Sequence, residues 1–124
     1  MKTFLMVSVL LALLVVGVHV EQELDRYQVS VGEDADVLVR VGNTGESALD
    51  VSVVPGVHEG LTTLNPGVQS MEITPGNSAL VSYSVRGERP GQYTIASQVI
   101  YTDDEGRSRQ MRCGDKSGRL LVVS

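Results

Sequence analysis

The stretch VLVRVGNTGESALDVSV, Val37 to Val53, decides the fold. Val37, Val39 and Val41 alternate with Leu38 and Arg40. Gly42-Asn43-Thr44-Gly45 then interrupts, and Leu49, Val51 and Val53 alternate with Asp50 and Ser52. Side chains along a strand point to opposite faces with a period of two, so each run offers one apolar face to a core and one face to water. Asn and Gly tolerate the positive φ of a reversing chain, so Asn43 and Gly45 are expected to turn the chain through their backbones. The unit reads as two strands joined by a short turn.

The same period continues outward. Ala79, Val81, Tyr83 and Val85 alternate with Leu80, Ser82 and Ser84, and Tyr93, Ile95, Ser97, Val99 and Tyr101 form a further set. Turn residues separate the runs: Thr74-Pro75-Gly76-Asn77, Glu88-Arg89-Pro90-Gly91 and Asp103-Asp104-Glu105-Gly106. Strands are predicted near 26–31, 35–42, 47–54, 68–73, 78–86, 92–102, 107–113 and 118–123. No window after residue 20 carries a helical stripe, and β-branched valine dominates the runs. Seven or eight short strands in roughly 100 residues make one all-β domain, an Ig-like antiparallel β-sandwich. Tyr93, after Pro90-Gly91, stands where a tyrosine tucks against the core edge and bonds a backbone carbonyl across the corner.

The N-terminus differs. Lys2 precedes Thr3–Val20, TFLMVSVLLALLVVGVHV, a run without Asp, Glu, Lys or Arg. Its length is at the lower limit for a membrane-spanning helix, and its positive start and apolar centre also suit a signal peptide. Val15 and Gly17 place a cleavage after Gly17, although no Ala-x-Ala is present. Lys2 before the run, with Glu21, Glu23 and Asp25 after it, puts the domain outside the membrane. Cleaved or retained, the run exports the domain C-terminal to it. The expected organisation is a signal or signal-anchor helix over 1–20, a short polar linker over 21–25 and the sandwich over 26–124.

The chemistry-bearing residues are sparse. Ten Lys and Arg stand against 15 Asp and Glu, a net charge of −5, the wrong sign for nucleic acid as a partner. Cys113 is the single cysteine. It cannot make an internal bridge, which leaves a half-buried strand thiol or an intermolecular disulfide. One cysteine with His19 and His58 cannot build a tetrahedral metal site, and no cofactor is expected. His58, in the loop Pro55–Gly67, reads as an exposed loop histidine, and no Gly-x-Ser-x-Gly elbow accompanies it, so no enzyme is expected. Glu33-Asp34-Asp36 and Asp103-Asp104-Glu105 read as ordinary solvated turns, with calcium binding as the alternative, since neither has the spaced Asp-x-Asp-x-Asp-Gly pattern of a dedicated loop. Sugar stacking would fall to Tyr27, Tyr83, Tyr93 and Tyr101, of which at least two read as inward-facing.

The order of segments carries a resemblance. Val37–Val53, Ile73–Val85 (ITPGNSALVSYSV) and Pro90–Gly106 (PGQYTIASQVIYTDDEG) resemble, in that order, exported Ig-like modules of bacteria and archaea of the cell-adhesion-related domain type. The order is also similar to that of the lumenal domain of the β subunit of the translocon-associated protein complex. The resemblance covers about Arg26 to Gly106 and implies a fold more than a function; the tail 107–124 has no counterpart in it.

Two features favour interaction. The long loop Pro55–Gly67 carries Val57, Leu61 and Leu64, which either cap the core or meet a partner. The tail Arg119–Ser124, with Leu120, Leu121 and Val122, is either a closing strand or an edge that pairs with another subunit. The expected role is a non-catalytic extracytoplasmic interaction module, an accessory subunit meeting other envelope or membrane proteins, or a second copy of itself. The rival is a subunit of an extracellular filament joined by strand exchange through 26–31 or 119–124; a calcium- or sugar-binding module ranks third.

Overall fold

The computed structural model describes residues 17–56, 58–65, 67–102, 105–114 and 119–124. The part of the expected N-terminal helix up to residue 16 lies outside them. All regular structure among the described residues is strand: β1 Val18–Leu24, β2 Gln28–Val29, β3 Asp34–Asn43, β4 Leu49–Val54, β5 Leu61–Thr63, β6 Gln69–Ile73, β7 Ser78–Gly87, β8 Gly91–Tyr93, β9 Ala96–Thr102, β10 Ser108–Gly114 and β11 Leu121–Val123. One sheet runs β1-β3-β7-β5, a second runs β10-β9-β4-β6, and a small third runs β2-β11-β8. Every pairing is antiparallel except β2 with β11.

The two larger sheets meet through the faces that the alternation assigns to the core. Val37, Val39 and Val41 of β3 and Val81, Tyr83 and Val85 of β7 are buried on one side; Val51 and Val53 of β4 and Val99 and Tyr101 of β9 are buried on the other. Burying a valine fully is worth about 1.5–3 kcal/mol, and the branched side chain suits the pleated surface. The intervening Asp36, Arg40, Asp50 and Gln98 face water.

The predicted strand 92–102 is two strands. Tyr93 pairs with Leu121 in the small sheet, whereas Ala96–Thr102 pairs with β10 and β4, so the chain changes sheets at Thr94-Ile95. The Tyr93 hydroxyl donates to Arg89 O at 2.7 Å, closing the corner expected there. Thr74–Asn77 is a tight turn in which Asn77 N donates to Thr74 O at 3.1 Å and Gly76 takes φ +79°, the mark of a type II turn after Pro75.

The turn after β3 works differently from the expectation. Neither Asn43 nor Gly45 adopts positive φ. Asn43 is instead the buried last residue of β3, and its side chain holds the loop. Its Oδ1 accepts from Gly45 N at 2.9 Å, and its Nδ2 donates to Ser47 O and Ile73 O, both at 2.8 Å. An Asn side chain that bonds the backbone two residues on substitutes for a backbone turn.

The N-terminal boundary also changes. Residues 18–20, assigned by hydropathy to the helix, and 21–24, assigned to the linker, form β1, which pairs with β3 from Val18↔Asn43 to Leu24↔Val37. Val18, Gln22 and Leu24 are buried and Val20 is packed against the core. Two valines merge with the apolar run before them, and a glutamine stands at an inward position, so the period of two is masked. The sandwich therefore starts at Val18 and not at Arg26, and β3 gains an edge partner for its backbone groups. A chain of residues 18–124 is expected to unfold cooperatively in urea. A chain of residues 26–124 is expected to show a far lower midpoint or no cooperative transition; equal midpoints would refute the role of β1.

Candidate functional site

A line of hydrogen bonds crosses the interior. Gly56 N donates to the Tyr83 hydroxyl at 3.4 Å, a long bond; Tyr83 and Ser97 hydroxyls meet at 2.7 Å; Ser97 Oγ donates to Gln22 Oε1 at 2.6 Å; and Gln22 Nε2 donates to Ile95 O at 3.0 Å. Since Ser97 gives its proton to Gln22, Tyr83 is the donor to Ser97. Gln22, Tyr83 and Ser97 are all buried. Burial pushes the Tyr83 phenol up, against the opposing effect of its bonds to Ser97 and Gly56, so it remains a neutral donor. Cys113 sits beside this line, its Sγ 3.6 Å from Ser97 O and 4.0 Å from Gln22 Oε1. Burial raises its pKa as well. A thiol turned inward and held protonated is a poor nucleophile, which suits the half-buried strand thiol, the first of the two readings of Cys113.

The line ends at a cleft of about 230 Å³ between Val54, Pro55, Gly56 and His58 on one side and Ala96, Ser97 and Gln98 on the other, with Arg112 beside it. Gly56 is pressed onto β9 so closely that a Cβ there would stand 1.9 Å from Ala96 O and 3.0 Å from His58 Nε2. His58 is not the exposed loop residue its sequence context suggests: its Nε2 is buried and bonds to no protein group among the described residues. Burial first, and then the positive charge of Arg112, hold its pKa below the ordinary 6.5, so the ring is neutral at pH 7. The cleft thus carries one guanidinium, one neutral imidazole and an apolar wall of Val54, Pro55 and Ala96.

The other candidates lie elsewhere. Leu61 is buried in β5, which pairs with β7, and Leu64 is half-buried with its N–H bonded to Ser84 O at 2.8 Å. The long loop therefore caps the core through Leu61, and Leu61 offers no partner contact; Val57 lies outside the described residues. Strand β11 is not an edge, because β2 and β8 flank it on both sides. Leu121 is buried, Val122 half-buried and Leu120 exposed, while Arg119 lies over the Tyr27 ring at 3.7 Å. The pairing supports the closing-strand reading of the tail, since Leu121–Val123 already has a strand on each side. Asp34 pairs with Arg86 at 2.9 Å, Asp36 accepts from Ser84 Oγ at 2.6 Å, and Glu33 accepts from Ser30 N at 2.7 Å. Glu105 pairs with Arg107 at 2.6 Å, and Asp103 and Asp104 are outside the described residues. Each tyrosine is engaged within the fold: Tyr83 and Tyr101 are buried, Tyr27 lies under Arg119 and Tyr93 closes its corner. Gln22 had one legible signal, its place in the alternation Val18, Val20, Gln22, Leu24; His58 had none beyond the Pro55-Gly56 before it.

No family model matches the chain, and no curated protein matches it in sequence. Solved structures match in fold. Against native α-2-macroglobulin of Escherichia coli the TM-score is 0.57 at 16% identity, covering 81% of this chain and 7% of that one. A Salmonella α-2-macroglobulin mutant gives a TM-score of 0.58 at 16% identity, over 80% of this chain and 7% of that one. A FixG-related protein of Vibrio parahaemolyticus gives 0.50 at 15% identity, over 81% of this chain and 97% of that one. The chain thus spans only a small part of the α-2-macroglobulins it resembles. These likenesses establish an Ig-like β-sandwich and no narrower family.

Two outcomes test the site. Ser97→Ala leaves Gln22 Oε1 without its hydroxyl donor and the Tyr83 hydroxyl without its acceptor, and is expected to cost about 1–3 kcal/mol in urea unfolding; an unchanged midpoint would show that the line contributes nothing. His58 has a lowered folded pKa, so the unfolded chain takes up its proton first. Its contribution is fully present above the unfolded value of 6.5 and is lost as the pH falls through 6.5 towards the folded pKa. His58→Gln is expected to flatten the fall of the thermal midpoint in that window, and an unaltered pH profile would remove His58 as its source.

Proposed function

We propose that the chain is a non-catalytic, extracytoplasmic protein-interaction module, an accessory subunit of a membrane or cell-surface complex. The observation that carries this reading is the outer face of the first sheet. Leu80 of β7 is 59% exposed, and half-buried Leu38 of β3 is its diagonal neighbour on the same face, since Arg40 pairs with Leu80 and Leu38 with Ser82. Glu21, Glu23, Asp36 and Arg40 surround the two leucines. An apolar centre with a charged rim is the anatomy of a contact surface. Gln22, Tyr83 and Ser97 of the interior, by contrast, are occupied in bonding to one another and to Ile95 O.

Export rests on the apolar residues Thr3–Gly17 with Lys2 before them, since Val18–Val20 belong to β1. The first strand comes directly after Gly17, so cleavage after Gly17 leaves the whole of β1 in place; a retained helix would be left with only Thr3–Gly17, shorter than the roughly 17 residues needed to cross a bilayer, so the cleaved reading has the greater support. A narrower relation to the cell-adhesion-related modules or to the translocon-associated β subunit is part of the same proposal, supported by the shared fold and the motif order. The filament reading has less support, because β11 is already paired on both sides and β2 offers only Gln28–Val29 as a free edge.

The native full-length chain is expected in the membrane or extracytoplasmic fraction and open to protease added from outside. Chemical cross-linking there is expected to capture a discrete partner band that Leu80→Glu removes without lowering the thermal midpoint. A chain protected from external protease would sink the export reading, and a band indifferent to Leu80→Glu would sink this contact face.

A further inference from the structure

The cleft beside His58 has chemistry that the interaction reading does not use. We infer that it is a carboxylate-binding site, in which Arg112 supplies the charge and His58 Nε2–H a hydrogen bond, while Val54, Pro55 and Ala96 receive the aliphatic part of the acid. The inference stands on the cleft itself and holds whether or not the outer face of the first sheet meets a protein.

Four observations converge. First, the chain is acidic, with a net charge of −5, yet no Asp or Glu lines this cleft among the described residues. Second, Arg112 is exposed on β10, paired in register with Gln98 and making no ion pair among the described residues, unlike Arg86, Arg89 and Arg107, each of which pairs with an acid. Third, His58 Nε2 is buried without a protein partner among the described residues. A buried polar atom of this kind is rare in folded proteins and calls for a reason, because leaving it unpaired costs about 1–3 kcal/mol. Fourth, Gly56 rests against Ala96 O with no room for a Cβ, so one side of the cleft is backbone against backbone, and in this assignment the His58 ring turns to bring its buried Nε2 to the ligand.

The class of ligand follows from the donor set. A guanidinium offers two parallel N–H groups, which match the two oxygens of a carboxylate. Arg112 brings one positive charge and the histidine is neutral at pH 7, so the site balances one negative charge. A phosphate dianion would remain undercompensated. A volume of about 230 Å³ suits a small aliphatic acid or the last residue of a polypeptide with its free carboxylate.

The test uses the folded chain of residues 18–124 once its cooperative unfolding is established, or otherwise the full chain in detergent. Propionate, N-acetylalanine and N-acetylalanine amide are titrated at pH 7 while the His58 ring resonances are followed. Both acids are expected to shift His58 saturably with a dissociation constant on the order of 1–10 mM, and the amide is expected to leave it unmoved. Arg112→Gln, an exposed change on an edge strand, is expected to weaken binding about tenfold or more at an unaltered thermal midpoint. Tighter binding of N-acetylalanine would point to a polypeptide C-terminus, and tighter binding of propionate to a free acid. Binding of the amide equal to that of the acids, retention of full affinity in Arg112→Gln, or no saturable shift with either acid would each overturn the assignment.

Discussion

The sandwich depends on the hydrogen-bond line from Gly56 through Tyr83 and Ser97 to Gln22 and Ile95 O. Valine against valine is nearly indifferent to register, because one apolar face fits another in several ways. A buried polar group is not indifferent: unpaired, it costs about 1–3 kcal/mol. The line takes its five groups from β1, the connection after β4, β7, β9 and Ile95 just before β9, and all must arrive together. A slip of β1 by one residue would turn Gln22 to water and push Glu21 or Glu23 into the core. The line therefore selects one pairing of β1 with β3 among those that the hydrophobic pattern allows.

Asn43 plays the same part at the opposite end of β1. It joins the end of β3 to its own turn through Gly45 and Ser47 and to the second sheet through Ile73 O. Its backbone N–H and C=O meet Asn77 and Gly76 of the turn before β7, both at 2.9 Å. A domain without a disulfide among its own residues is thus fixed at two polar points, one near each end of the first strand, with the valine core between them. The apolar contacts supply most of the free energy, and the polar points supply the uniqueness.

The sequence shows these two contributions unequally. Strands β3, β4, β6, β7, β9 and β10 are legible because each combines a period of two with turn residues at its ends. β1 is hidden because Val18 and Val20 continue an apolar run and Gln22 occupies an inward position where a hydrophobic residue would have signalled a strand. β5 is hidden because Leu61–Thr63 is too short to show a period inside the loop Pro55–Gly67. The tail Arg119–Ser124 is recognisable as a strand, but its place between β2 and β8 is a property of topology that no local pattern contains. The cleft is least legible of all. It forms where Gly56 meets Ala96, 40 positions along the chain, and the histidine and arginine that line it are ordinary in their own neighbourhoods.

The interior and the cleft are nevertheless one construction, and β10 shows why. Cys113 pairs in register with Ser97, and Arg112 with Gln98. Because successive side chains on a strand face opposite ways, seating the Cys113 thiol against Ser97 O and Gln22 turns Arg112 to the outer face, beside His58. The same alternation on β9 sends Ser97 into the hydrogen-bond line and Gln98 to the cleft. A register that satisfied the interior differently would carry the guanidinium away from the imidazole. The buried polar line thus fixes the sheets and, through the two-residue repeat of the strand, sets the charge that the cleft presents to solvent.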